Sequence, residues 1–86
     1  MAKERIEILS ELYLKVVSER NIGAIVNVEP SVLEENNLHY QYLEAKGHIK
    51  VYPEQSDGTT AVGITVDGID FYEDIKDIAA DYWRQK

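Results

Sequence analysis

The chain has no cysteine. That removes disulfide staples, thiolate metal sites and thiol nucleophiles at once. It has no long apolar run either: none exceeds three residues, far short of the ~20 that a membrane-spanning helix requires. Bases are scarce, 9 against 16 acids, and the net charge is −7. Such a balance favours solubility and works against attraction to nucleic acid or an anionic membrane, because phosphate binding needs a positive surface. Only two prolines and five glycines interrupt the chain, so composition predicts neither a linker nor a low-complexity segment. No internal repeat is visible. The opening Met1-Ala2-Lys3-Glu4-Arg5 leads into an amphipathic pattern and not into a signal-peptide core. The expectation is a cytoplasmic protein of one small domain, residues 1–86.

What is present is periodic. Ile6, Leu9, Tyr13, Val16 and Val17 recur at helical spacing over residues 3–20, with Leu12 widening the stripe. Asn21 and Gly23, which tolerate the left-handed conformation, are the expected stop. Ala24 to Val28 suits a short strand. Ser31-Val32-Leu33-Glu34 fits a capping box, and Asn36-Asn37 a break before a further helix that Gly47 ends, although one continuous helix also fits. On that helix a 100° projection puts Leu38, His39, Tyr42, Leu43, Ala45 and Lys46 on the core half. Asn37, Tyr40, Gln41 and Glu44 fall on the outward half.

Ile49 to Tyr52 alternates as a strand, Asp57-Gly58 marks a hairpin loop, and Ala61 to Ile64 returns. Thr65 is placed to cap a last helix, with Asp67 near its positive end. That helix bears two apolar stripes. One is Gly68, Phe71, Ile75, Ile78 and Tyr82; the other is Ile69, Tyr72, Ala79 and Trp83. Together they exceed what one neighbour covers, so Ile69, Tyr72, Ala79 and Trp83 are the candidate homodimer contacts.

The order helix, strand, helix, helix, hairpin, helix is that of a winged helix-turn-helix. Tyr42-Leu43-Glu44-Ala45-Lys46-Gly47-His48-Ile49 resembles the segment with which a winged-helix recognition helix ends. Ile64-Thr65-Val66-Asp67-Gly68-Ile69-Asp70-Phe71 resembles the segment leading out of the wing. The resemblance covers nearly the whole chain and is closest to small bacterial and prophage-encoded winged-helix proteins. It implies an α+β fold: a three-helix core, a β-hairpin wing and a C-terminal helix. It also implies duplex DNA as partner and a role in transcription regulation, with the second helix of the pair in the major groove. Carried over, Asn37, Tyr40, Gln41 and Glu44 face bases, and His39, Lys46, His48 and Lys50 approach phosphates. The alternative is a winged-helix module that binds protein. The net charge supports it, as does a wing loop holding Glu54 and Asp57 but no base.

Enzymatic chemistry finds no foothold. His39 and His48 lack further ligand types at metal spacing. The acids from Asp67 to Asp81 follow the polar side of a helix. Gly63 and Gly68 lack the lysine of a P-loop, and no serine sits in a nucleophile elbow. The expectation is a non-enzymatic protein without metal or cofactor.

Overall fold

The computed structural model describes residues 2–84, with side chains as far as residue 77. The elements are α1 (Lys3–Glu19), β1 (Ile25–Val28), α2 (Pro30–Glu35), α3 (Asn37–Ala45), β2 (Ile49–Glu54), β3 (Thr60–Ile64) and α4 (Val66–Arg84). The three strands form one antiparallel sheet in the order β1-β3-β2. The architecture is thus α+β, with helices packed on a small open sheet.

β3 is central, and all five of its residues are buried. Its side chains, Thr60-Ala61-Val62-Gly63-Ile64, are mostly small, which lets neighbouring elements come close. At Gly63 an added Cβ would already stand 3.4 Å from the Ala24 carbonyl oxygen. β2 is an edge strand. It pairs in register from Ile49↔Ile64 to Val51↔Val62, then slips by one residue so that Glu54 faces Thr60. Pro53 lies in that irregularity, where a residue without an N–H does the ladder least harm.

Leu9 of α1, Leu43 of α3 and Val62 of β3 are the largest fully buried side chains. Each stabilises by about 1.5–3 kcal/mol relative to exposure. Around them pack Ile8, Leu12, Val28, Tyr40, Ile49, Ile64 and Tyr72. The α1 stripe is therefore turned from its expected phase. Ile8 is buried and Val17 is exposed, because the sheet and α3 meet α1 on its Ile8–Leu9–Leu12 side.

Two helix ends differ from expectation. Arg20, not Asn21 or Gly23, takes the left-handed position after α1, at φ 53°. Asn21 instead accepts the Gly23 N–H through its side chain at 2.9 Å. α2 begins at Pro30 with Glu29 before it and has no side-chain cap, so the Ser31–Glu34 box is not used. Proline at the first helical position replaces it, since its missing N–H is one the helix could not satisfy anyway. Asn36 alone separates α2 from α3. Its backbone N–H and its side-chain amide both donate to the Val32 carbonyl, at 3.1 and 3.0 Å. Its own carbonyl accepts from His39 and Tyr40.

Candidate nucleic-acid interface

α3 is nine residues long and is fixed most firmly at its C-terminal end. Gly47 is left-handed at φ 79°. The N–H groups of Lys46, Gly47 and His48 then fold back to the carbonyls of Tyr42, Glu44 and Leu43 at 2.9–3.0 Å. Thr65 ties this turn to the next elements. Its hydroxyl donates to the Gly47 carbonyl and accepts the Gly68 N–H, while its own N–H donates to the His48 carbonyl at 3.0 Å. As expected, Thr65 caps α4. Gly68 allows the approach: a Cβ there would lie 2.0 Å from the His48 carbonyl oxygen.

The face of α3 is partly the expected one. Asn37, Gln41 and Glu44 are exposed and recur at i, i+4 and i+7, one row along the helix. Tyr40 does not join them. It is only 8% exposed, and its hydroxyl pKa is raised, first by burial and then by the charge of Glu11. Leu38, expected in the core, is 70% exposed, and Tyr42, Ala45 and Lys46 are exposed too. The inward positions are Asn36, His39, Tyr40 and Leu43, a helical i, i+3, i+4, i+7 set. The physical reason is the Asn36 elbow: it orients α3 so that Tyr40 and Leu43 meet the core, and Leu38 is carried outward.

Lys46 and Lys50 are exposed, and the Lys50 ammonium sits 5.0 Å from the centre of the Tyr52 ring. His48 turns inward. Its ring stacks on Phe71 at 4.4 Å and its Nδ1 is buried without a partner. A further cation reaches α3 from α1. The Arg5 guanidinium lies 3.7 Å over the Tyr42 ring, and its Nε–H donates to His39 Nδ1 at 3.3 Å. The Glu4 carboxylate stands 3.7 Å from His39 Nε2. This cluster joins residues some 34 positions apart, so no local spacing announces it.

The loop between β2 and β3 is ordered by its own side chains. Asp57 accepts the Thr59 hydroxyl at 2.7 Å and the Thr59 N–H at 2.9 Å. Those bonds, the hydroxyl first, hold its carboxyl below the usual value of 3.8. The tip of the β2–β3 hairpin thus offers a fixed negative charge.

Protein-family models, curated proteins and solved structures give no match to this chain. The site is therefore read from its own residues. Of the candidate dimer contacts, Ile69 is half-buried against the core. Tyr72 is buried within the chain, its ring 5.0 Å from that of Tyr13, and the Tyr13 hydroxyl donates to Glu73 at 2.9 Å. The expectation that Tyr72 is free for a second copy is corrected: α1 covers it. Ala79 and Trp83 lie outside the described side chains, as do Ile78 and Tyr82. Among the described residues no group of three or more His, Cys, Asp or Glu stands ready for a metal ion, and no helix is long and apolar enough to cross a membrane.

Proposed function

We propose that this chain is a small winged-helix DNA-binding module that regulates transcription by binding and not by catalysis, with α3 entering the major groove. The observation that carries the reading is the exposed row Asn37, Gln41 and Glu44, set on a helix whose end is pinned to the hairpin base. Asn and Gln side chains pair bidentately with adenine edges, and Glu accepts from cytosine N4. Lys46 and Lys50 flank the row, and Arg5 is brought beside it through Tyr42. The loop of the wing carries no cation, so α3 has to do the reading while few phosphates are held. Affinity per copy is then modest, and two copies on two half-sites supply the rest. Fluorescence anisotropy with a library of labelled duplexes at low salt tests this. Saturable binding that weakens with Gln41→Ala supports it. An unchanged signal at about 50 µM protein refutes it, since even non-specific binders act in roughly the 1–100 µM range.

A second reading is favoured by a specific observation. Leu38 is the most exposed large apolar side chain among the described residues, and Val32 and Tyr42 on the same helix pair are exposed too. On that reading the α2–α3 face docks a protein. Leu38→Glu then abolishes partner capture and leaves no DNA phenotype.

A further inference from the structure

β1 lies at one edge of the sheet, and the ladder fixes which of its backbone groups face away from β3. The Thr65 N–H donates to the carbonyl of His48, which stands opposite it when the Ile49↔Ile64 register is continued. Opposite residues of an antiparallel pair alternate between bonded and unbonded. Thr65 and Gly63 therefore turn their backbone groups toward β2, and Ile64 and Val62 turn theirs toward β1. Val26 stands opposite Val62 and is bonded to it. Ile25 and Asn27 are the unbonded positions, so their N–H and C=O groups point out of the sheet. No described residue pairs with them there.

The borders of this edge are apolar. Glu11 of α1 and Val32 of α2 line the space beside Val26, Asn27 and Val28, so the α1 row along the edge is Glu11, Leu14 and Ser18. Leu14 is 60% exposed, and Val32, Ile25 and Ile22 are exposed as well. No residue from Asn21 to Val28 carries a charge.

We propose that β1 pairs with the β1 of a second copy, antiparallel about a two-fold axis at Val26, giving one sheet continuous across two chains. A chain of net charge −7 repels its own copy, so like-to-like contact needs an edge without charge. β1 is that edge, whereas β2 carries Lys50 and Glu54. The strand is also self-complementary. With the axis at Val26, the outward groups of Ile25 meet those of Asn27 in the second copy, and the reverse, so both positions are bonded in both chains. Val26 then faces its own copy at an unbonded position, the closer kind, and β-branched pairs suit it. Glu29 falls opposite the second copy's Gly23. An axis at Asn27 would instead set Ile25 against Glu29, an acid outside the strand. The carboxylates of Glu11 and Glu29 in both copies border the seam, so salt strengthens the pairing by screening, opposite to its effect on DNA binding. The pairing supplies the second copy that two half-sites call for, yet it rests on the strand alone and is measured without DNA.

Because the chain has no cysteine, single cysteines report the register. Val26→Cys should oxidise to a covalent dimer, since unbonded opposite residues have Cα atoms about 4.5 Å apart, within disulfide reach. Asn27→Cys, displaced from its own copy by about 8 Å between Cα atoms, should cross-link at least about tenfold more slowly. Sedimentation equilibrium of the wild type should give a monomer–dimer Kd on the order of 100 µM, because so short a seam sits at the weak end of protein contacts. That Kd should fall about threefold between roughly 0.05 and 0.5 M salt. Asn27→Pro removes an outward N–H that the ladder does not use and should raise Kd at least about tenfold with an unchanged circular dichroism spectrum. Amide exchange of the wild type needs no variant, and should slow at Ile25 and Asn27 as concentration rises. A chain that stays monomeric at about 1 mM overturns the proposal. So do equal cross-linking of the two cysteine chains, a dimer that Asn27→Pro leaves at wild-type strength, or exchange at Ile25 and Asn27 that ignores concentration.

Discussion

Replacing Gly68 with alanine sets two effects of opposite sign against each other. Position 68 is in the first turn of α4, where alanine has the better helix propensity by about 0.8–1.0 kcal/mol. Propensity alone therefore predicts a gain. The new Cβ, however, would sit 2.0 Å from the His48 carbonyl oxygen, 2.9 Å from its carbon and 2.8 Å from Ile64 Cγ1. The carbonyl cannot swing away freely, because it accepts the Thr65 N–H at 3.0 Å. Relief requires α4 to lift from the hairpin base, which breaks that bond and loosens the Thr65 cap. Overpacking costs typically 1–3 kcal/mol, and a lost backbone bond adds about 1 kcal/mol. After the propensity gain, the net loss is about 1–3 kcal/mol. In a domain of this size each kcal/mol lowers Tm by about 4–8 °C, so a fall of roughly 5–20 °C is expected. Circular dichroism melts with urea titrations at 25 °C measure both quantities. An unchanged or raised Tm would refute the close backbone approach at Gly68.

Four further outcomes are expected. Leu43→Ala should lose about 2–5 kcal/mol in urea unfolding, since Leu43 is fully buried, while exposed Gln41→Ala should stay within about 0.5 kcal/mol; equal losses would contradict the phase of α3. Thr65→Ala should lose about 1–2 kcal/mol and Thr65→Ser should recover most of it, because a hydroxyl is what caps α4 and holds Gly47. If DNA is bound through about three to five phosphate contacts, log Kd should rise with log salt at a slope of roughly 3 to 5, and a flat dependence would argue against backbone contacts. Asp57 should titrate below 3.8 by carboxyl NMR. Its folded value is depressed, so its contribution to the order of the β2–β3 loop is present above the unfolded value and fades as pH falls through the folded one; Thr59→Val should return the titration towards 3.8.

The element order was legible because each stretch carries its own punctuation. Thr65 and Asp67 announce the start of α4, Gly47 the end of α3, and Asp57-Gly58 the hairpin. These are local signals with local causes. The phase of α3 was not legible in the same way. A projection that counts Leu38 as apolar and Tyr40 as outward turns the helix by a wide angle, because tyrosine and histidine are apolar along one part and polar at the tip. Only the Asn36 elbow and the core around Leu43 decide which part is buried. The covering of Tyr72 was hidden likewise, since it needs Tyr13 of α1 to pack across α4. Asn37, Gln41 and Glu44 were placed correctly because their row holds under either phase.

The slip in β2 has a bearing on how copies of this chain behave at high concentration. A sheet that grows by strand addition behaves like a polymerising monomer, and indefinite growth needs two reactive ends. At the β2 end, Pro53 offers no N–H, the register jumps between Val51 and Glu54, and Lys50 projects a charge. Such an edge is a poor template. Among the described residues, the other edge of the sheet is the four-residue β1. A monomer with one reactive end terminates the chain it joins: two such edges can meet about a two-fold axis, and growth then stops. Reopening the β2 end takes the loss of all three features, Pro53, the slip and the Lys50 charge; a chain so changed is a two-ended monomer whose association need not close.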